Sequence, residues 1–334
     1  MANIFCNKCR VAYRIQDAPL GAEVLRCSNC PASFHTYDEG NVAVVGMPIS
    51  QFDKLPHSAV RPAANDNEPD PFKTHNIRWL SASSLNAFRS SQSVWCLQYL
   101  LGAKGGVSIP MVKGIAGEDG IAFALSGDRP IEEAHEVALT TFDAKTALGG
   151  FAPEAKEKAR GELIGYSTSR TSYPGIIANG IEALREYGPP SSHGEKIKLS
   201  LADDLPVLIG YKDFSYDHIG VDVDLKCTSR MPSVIPPDHA LQGAIYWRAS
   251  GNRAQRFCYV TPADFKVYEL DVDVARNALQ QAEHIARQIG ELLSRSDDPV
   301  EVCRSTVPDF SNFRWSEETR AAAADVWDFT PTPK

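Results

Sequence analysis

The chain has 334 residues and a formal net charge of −8 at pH 7, which is long enough for one large domain with an appended module. The acidic balance excludes a generic polycationic nucleic-acid binder, but not an enzyme that meets nucleic acid through bound cations and a local groove. No window approaches the roughly 18 uncharged apolar residues of a membrane span, and the N-terminus lacks a signal pattern. We therefore expect a cytoplasmic protein without membrane contact.

Two Cys-x-x-Cys pairs lie near the N-terminus, separated by 17 residues. Two such pairs at this spacing can place four thiolates around one ion, for which Zn²⁺ is the usual choice. A reducing cytoplasm disfavours disulfides, and a redox pair would not explain two matched pairs. The expected zinc ligands are Cys6, Cys9, Cys27 and Cys30.

Residues 3–36 resemble the short zinc ribbon found at the N-termini of assorted bacterial proteins. The shared features are the two cysteine pairs, an aromatic and basic strand over 12–15, and a closing aromatic, Phe34. The resemblance implies a ribbon that folds only with structural Zn²⁺. Contact with DNA, contact with a protein partner and a purely structural role all stay open. We assign residues 1–40 to this ribbon and the proline-rich residues 41–76 to a flexible linker.

Beyond the linker the apolar pattern becomes that of a globular domain. Helices are predicted from residue 81 and over 111–126, 131–147, 153–188 (broken near Pro174), 237–250 and 272–294. Strands are predicted over 197–201, 207–214, 219–225, 256–261 and 265–270. This order predicts an α/β (α+β) fold with a central mixed β-sheet flanked by helices. The main domain is expected to span residues 77–315, with a helical insert at about 127–190, and residues 316–334 to form a C-terminal segment and tail.

Two carboxylates and a lysine stand out on the predicted strands. Asp224 and Lys226 are two residues apart, so their side chains share one face, and Asp213 on the preceding strand can come alongside. Paired carboxylates suit Mg²⁺ or Mn²⁺. A neighbouring lysine can orient or deprotonate a water and stabilise charge on a phosphate. These parts suit metal-assisted phosphodiester hydrolysis, although the spacing alone also fits a surface hairpin with a solvated salt bridge.

A wider pattern carries a family resemblance. The chain has Gly-Tyr-Lys-Asp213, then Val-Asp224-Leu-Lys226-Cys-Thr, a loop with two prolines, and a helix with Gln242-Gly-Ala-Ile-Tyr246. This combination resembles the PD-(D/E)XK nuclease superfamily, in particular its RecB-like and phage-exonuclease branch. An upstream helix with Ser-Ala-Ser-Ser-Leu-Asn-Ala-Phe, followed by Trp-Cys-Leu-Gln-Tyr, is similar to the first helix of that branch.

The resemblance covers residues 77–295 and implies a restriction-endonuclease-like core. It also implies residue roles that follow the motif position by position. Asp213 and Asp224 correspond to the metal-binding acids, with the Leu225 carbonyl as a further ligand, Lys226 to the catalytic lysine, and Gln242 and Tyr246 to a helix pair that places substrate. Helix packing is the alternative role for Tyr246.

One element departs from the family pattern. The branch usually has Gly-x-x-x-His on an early helix, where the histidine binds metal, whereas this chain has Gly114-Ile-Ala-Gly-Glu118. We expect Glu118 to be a third Mg²⁺ or Mn²⁺ ligand, with Asp119 as its rival and an exposed helix surface as the alternative. An iron–sulfur cluster, found in some relatives, is not expected because the C-terminal region has only Cys303.

The leading expectation is a metal-dependent DNA nuclease, in particular an exonuclease, acting on single- or double-stranded DNA in repair, recombination or phage replication. Its setting would be the cytoplasm of a bacterium or a phage-infected cell. The alternatives are a non-catalytic nucleic-acid-binding or scaffold protein of the same fold, and a zinc-ribbon transcription or assembly factor. Residues 150–230 contain ten Lys and Arg against twelve Asp and Glu, so no basic stripe is visible. Lys226→Ala is expected to abolish cleavage and leave the fold intact.

Overall fold

The computed structural model describes residues 70–103, 108–127, 129–148 and 166–327, together with five short strands near the N-terminus. The chain divides into two compact units, Met1–Pro69 and Asp70–Lys334. In the first unit an antiparallel pair, β1 (Ala2–Phe5) and β2 (Ala12–Ile15), accompanies an antiparallel sheet of β3 (Val24–Arg26), β4 (Ser33–Thr36) and β5 (Val42–Val44). The four cysteines expected to bind zinc lie outside the described residues.

The second unit alternates helices and strands. Its helices are α1 (Pro71–Thr74), α2 (Ala82–Ser90), α3 (Gln92–Trp95), α4 (Ile109–Leu125), α5 (Ile131–Leu148), α6 (Tyr166–Arg185), α7 (Pro237–Ala249), α8 (Val272–Leu293), α9 (Pro299–Arg304) and α10 (Glu317–Trp327). Its strands are β6 (Trp79–Leu80), β7 (Ser192–Leu199), β8 (Val207–Tyr216), β9 (Val221–Cys227), β10 (Ala254–Val260) and β11 (Phe265–Glu269). Side chains cap the helices where the sequence offers them. For example, Ser81 accepts the Ser84 amide at the start of α2 and Asp271 accepts the Val274 amide at the start of α8.

The strands form one mixed sheet in the order β11-β10-β9-β8-β6, with β7 also pairing with β8. The β10–β9 and β8–β6 pairs are parallel, and the other pairs are antiparallel. Helices α4, α5 and α6 pack on one face of the sheet around Phe142, Tyr173 and Phe214. Helices α2, α7 and α8 pack on the other face, where Leu241 and Ile245 of α7 are fully buried. The predicted mixed sheet flanked by helices is therefore confirmed.

Strand β8 is paired unevenly along its two edges. β7 pairs with it from Leu208 to Ser215 on one edge. On the other edge β9 pairs only with Phe214–Tyr216 and β6 only with Val207–Leu208. Residues 209–213 therefore have no strand partner on that edge among the described residues. The sheet opens into a fork between β8 and β9, and the candidate site lies at this fork.

Helix α6 differs from its prediction. The sequence pattern predicts a break near Pro174, but the helix continues through it from Tyr166 to Arg185. A proline removes one backbone donor and strains one turn, and here the fully buried Tyr173, Ile176 and Ile177 on either side anchor the helix in the core. The part of the predicted helix before residue 166 lies outside the described residues.

The folded unit extends beyond both expected ends. Helix α1 lies within residues 41–76, and its Phe72 is buried in the core against α8. Helix α10 lies within residues 316–334, and Trp327 at its end packs beside Trp315. The sequence did not predict these two helices because their surroundings are rich in proline and polar residues. Each helix contributes only one or two large apolar side chains to the core. None of the helices in the described part of the chain has the length and apolar character needed to cross a bilayer.

Candidate active site

Asp213 lies where β8 and β9 separate. The last residues that pair before the fork are Phe214 and Val223. Beyond them, Asp213 Oδ2 accepts a hydrogen bond of 2.7 Å from the backbone N–H of Leu225. A side-chain carboxylate thus takes the place of a strand carbonyl, which satisfies the amide that the fork would otherwise leave unpaired. The carboxylate is thereby held against β9.

A glycine of β7 lies opposite Asp213, at the point where β8 and β9 separate. The pairs on either side, His193 with Phe214 and Glu195 with Lys212, place Gly194 opposite Asp213. Gly194 has φ of +68°, a conformation that a residue without a Cβ adopts readily. On one side of this point Lys212 approaches β9, whereas on the other Phe214 joins the core under α4–α6. The two strand faces therefore exchange at Gly194, and Asp213 is directed into the fork.

Asp224 and Lys226 lie side by side on β9, as the alternation of the strand predicts. Asp224 is 1% exposed, and Lys226 Nζ lies 2.6 Å from its Oδ1. Oδ1 is thus paired with the Lys226 ammonium, whereas the other buried oxygen, Oδ2, has no hydrogen-bond donor among the described residues. A buried carboxylate oxygen without a donor is costly in a dry environment and chemically suited to a hard cation. The residues present therefore fit Mg²⁺ or Mn²⁺.

Helix α7 holds the lysine from above the sheet. Lys226 Nζ donates to Gln242 Oε1 at 3.0 Å, and Gln242 Nε2 donates to the Tyr246 hydroxyl at 3.1 Å. Tyr246 in turn packs over Gly210, where an added Cβ would lie only 2.5 Å from the ring. The glycine that begins the Gly-x-x-Asp motif thus lets α7 approach β8. The structure brings the predicted pair Gln242 and Tyr246 to Lys226.

The site raises the pKa of two of its charged groups, Asp213 and Lys226. Burial raises the pKa of Asp213 well above its usual range, and the nearby carboxylates of Asp224 and Glu118 add to the effect. For Lys226, burial acts to lower the pKa, but the charges of Asp224 and Asp213 outweigh it and the pKa is raised. Lys226 is therefore protonated and positively charged at neutral pH.

Glu118 reaches the site from α4. His193 Nε2 lies 2.9 Å from Glu118 Oε1, and Glu118 raises the pKa of this histidine, against the opposing effect of burial. Asp119 is engaged elsewhere, because its Oδ2 accepts a hydrogen bond from Thr141 on α5 at 3.0 Å. Of the two rival residues, Glu118 thus lies on the side of Asp213. Its contact with His193 was not foreseen from the sequence.

The approach of α4 depends on a glycine that the motif did not single out. An added Cβ at Gly117 would lie 2.7 Å from the Cys227 sulfur, whereas one at Gly114 would meet nothing within 4 Å. Close packing of α4 on β9 therefore requires Gly117. Burial raises the pKa of Cys227 to about 12, so this thiol is neutral and serves as a packing partner.

Asp222 resembles Asp224 in sequence but not in surroundings. Both are 1% exposed and point to the same face of β9. Asp222, however, has two cations near it, with Lys212 Nζ at 3.4 Å and an Arg253 nitrogen at 3.5 Å. Lys212 is also paired with Glu195 at 2.9 Å. This buried ion cluster, which the sequence did not predict, compensates the charge of Asp222, whereas Lys226 is the one cation paired with Asp224 among the described residues.

The predicted metal ligands are not all gathered around one point. Among the residues whose placement is described, no group of three or more His, Cys, Asp or Glu side chains is arranged to hold a metal ion. Asp213 and Asp224 are close enough for their charges to interact, and Glu118 lies nearby but contacts His193. Leu225 contributes its N–H to the site, and the role of its carbonyl as a ligand stays a prediction.

Comparisons with known proteins give little further guidance. No family model matches the sequence, and no curated protein matches it. Among solved structures, the chain is similar to the crystal structure of SSO0001, with 16% sequence identity and a TM-score of 0.28. That similarity covers 40% of this chain and 66% of the other chain, just under two thirds of its length. It carries no conclusion about fold family or function.

Proposed function

We propose that the protein is a metal-dependent nuclease that hydrolyses phosphodiester bonds in DNA. The observation that carries the proposal is the buried carboxylate of Asp224, whose Oδ2 has no hydrogen-bond donor among the described residues while its Oδ1 lies 2.6 Å from the ammonium of Lys226. Burial of an incompletely paired carboxylate costs folding free energy unless a bound ligand compensates its charge. A divalent cation and a phosphate are the ligands that this donor set fits best.

The residues of the fork would have different roles in catalysis. Asp213 and Asp224 would hold Mg²⁺ or Mn²⁺, with Glu118 and the Leu225 carbonyl as further ligands. The cation would neutralise phosphate charge and polarise the scissile phosphate. Protonated Lys226 would stabilise the negative charge that develops on the phosphate oxygens. Gln242 fixes the lysine ammonium, and Tyr246 supports Gln242.

The finer assignments follow the sequence resemblance. We infer a restriction-endonuclease-like core of the RecB-like and phage-exonuclease branch, working as an exonuclease in the cytoplasm of a bacterium or an infected cell. The N-terminal Cys6, Cys9, Cys27 and Cys30 would hold a structural Zn²⁺ in a ribbon that contacts DNA or a protein partner. The fork between β8 and β9, with acids on both strands, supports the first of these inferences.

A non-catalytic DNA-binding or scaffold protein is the alternative. In its favour, the described residues assemble no complete set of three metal ligands. Against it, Asp213, Asp224 and Lys226 are all present and in contact or close to one another. In a scaffold that had lost catalysis, apolar residues in place of both Asp224 and Lys226 would be neutral or stabilising, so nothing would keep this buried pair.

The test is degradation of end-labelled linear single- and double-stranded DNA with Mg²⁺, Mn²⁺ or EDTA. Wild type should cleave with metal and not with EDTA, and Asp224→Asn and Glu118→Gln should lose this activity. Asp119→Asn is the matched control, since Asp119 is bonded to Thr141, and it should keep the activity of wild type. Absence of cleavage by folded, zinc-loaded wild type would favour the scaffold.

A further inference from the structure

The hairpin of β7 and β8 has one face that no described helix covers. On one face of β8 Leu208 and Lys212 are buried, whereas on the other Val207 and Tyr211 are exposed and Ile209 is half-buried. In the flanking strands, Trp79 is the direct partner of Val207, and residues that face each other across a sheet share a side. Trp79 and Tyr211 are each 56% exposed, so this open face carries two aromatic rings.

The same face is positively charged. Lys196 is the direct partner of Tyr211, and Lys198 is the direct partner of Ile209. Both lysines are exposed, and neither forms an ion pair with a described residue. The acid of β7, Glu195, is directed to the other face, where it pairs with Lys212. The open face therefore combines cations and aromatic rings. Between Val207 and Asp213, neither β7 nor β8 places a carboxylate on it.

The face leads into the fork. Tyr211 precedes Asp213 by two residues, or about 7 Å of strand, and Trp79 stands beside Val207, about 13 Å further back from Tyr211. The strip thus runs from Trp79 past Tyr211 to the carboxylates. A linear count of charges could not show it, because Glu195 lies on the opposite face and Asp204, in the loop between the two strands, is paired with Arg287 of α8.

We propose that this open face binds single-stranded DNA that continues from the scissile phosphate. Bases of a single strand stack on aromatic side chains, while lysines follow the phosphates. A duplex keeps its bases stacked on one another and offers no ring face to Tyr211 or Trp79. The proposal rests on the nuclease function inferred above, and it names the form of substrate that the site receives.

The test is binding of the full-length protein to a fluorescent oligothymidylate of about 16 nucleotides, measured by anisotropy in EDTA so that no cleavage occurs. Tyr211→Ala should weaken binding by roughly 5- to 100-fold, the loss of one stacked base, and Tyr211→Phe should keep the affinity of wild type. Lys196→Ala and Lys198→Ala should each lower the slope of log affinity against log salt by about 0.7.

Lys266→Ala is the matched control, since Lys266 is an exposed lysine on β11 at the other edge of the sheet. It should change neither affinity nor slope. The proposal is overturned if the Lys196 and Tyr211 variants bind like this control, or if they lose affinity for a blunt hairpin duplex to the same degree. Because binding is measured without metal, a wild type that binds the strand but never cleaves would refute the nuclease function and leave the binding face standing.

Discussion

The carboxylate of Asp213 accepts the amide of Leu225 at 2.7 Å, across the point where two neighbouring strands stop pairing. This contact serves both the site and the fold. The fork that opens the site would leave the Leu225 amide without a strand partner, and the Asp213 carboxylate satisfies that amide. It also keeps Asp213 close to Asp224, at the cost of two carboxylates buried together.

Lys226→Ala should reduce stability as well as activity. The sequence alone led us to expect an intact fold, but the structure gives Lys226 a buried partner, Asp224. Removing one member of such a pair leaves an uncompensated charge and costs about 3–5 kcal/mol. Urea unfolding at pH 7.5 should show this loss, and part of it should return at pH 5.5 as Asp213, whose pKa is raised, takes up a proton. Lys226→Arg, which keeps the charge, should unfold close to wild type; a stable Lys226→Ala variant at pH 7.5 would contradict the argument.

The metal-free protein should gain stability on acidification through Asp213. Its pKa is raised in the folded state by burial and by Asp224, so the folded protein binds a proton that the unfolded chain has released. The free energy of unfolding therefore falls as the pH rises from about 4, the unfolded value, through the folded pKa, and is constant beyond it.

Asp213→Asn isolates this contribution, because an asparagine oxygen can still accept the Leu225 amide. The stability difference between variant and wild type, measured in EDTA from pH 4.5 to 8.5, should move in favour of the variant as the pH rises. A difference that does not change with pH would mean that Asp213 is not the responsible group.

Gly117→Ala should disturb the site through packing. Its Cβ would lie 2.7 Å from the Cys227 sulfur, so α4 must shift away from β9 and carry Glu118 with it. We expect a loss of roughly 1–3 kcal/mol of stability and a higher metal concentration for half-maximal cleavage.

Gly114→Ala is the control for this variant. It lies on the same helix with nothing within 4 Å of the added Cβ, so it should stabilise the protein by up to about 1 kcal/mol, since alanine favours a helix more than glycine does. Equal effects of the two substitutions would refute the role assigned to Gly117.

The N-terminal cysteines should bind one zinc ion per chain. Elemental analysis of the purified full-length protein should give one equivalent, and Cys27→Ser should release it. Cys303→Ser is the control, because Cys303 is buried in the core of the second unit and should leave the zinc content unchanged. Zinc retained by the Cys27 variant would disprove the proposed ligand set.

The sequence foresaw the parts of the site that depend on strand alternation. Asp224 and Lys226 share a face because they are two residues apart, and the helix motif brought Gln242 to the lysine. What it could not foresee depends on distant partners. Asp222 and Asp224 lie on the same face of β9, so strand alternation does not distinguish them. They differ because Lys212 and Arg253 approach Asp222.

The same limit applies to the backbone. Pro174 reads as a helix breaker, yet the burial of its neighbours keeps the helix intact. The motif glycine Gly114 occupies open space, whereas Gly117 makes the close approach. In both cases the expectation came from local sequence, whereas the outcome is set by packing against residues far away along the chain.

The amide that Asp213 accepts has one more consequence. Because the donor to this carboxylate is the backbone of Leu225 rather than a side chain, the hydrogen of that amide is protected from exchange only while the carboxylate stays in place. Protonation of the acid or its withdrawal toward a ligand would change the exchange rate of a single backbone position. The exchange rate of the Leu225 amide hydrogen therefore reports on the position of the Asp213 carboxylate.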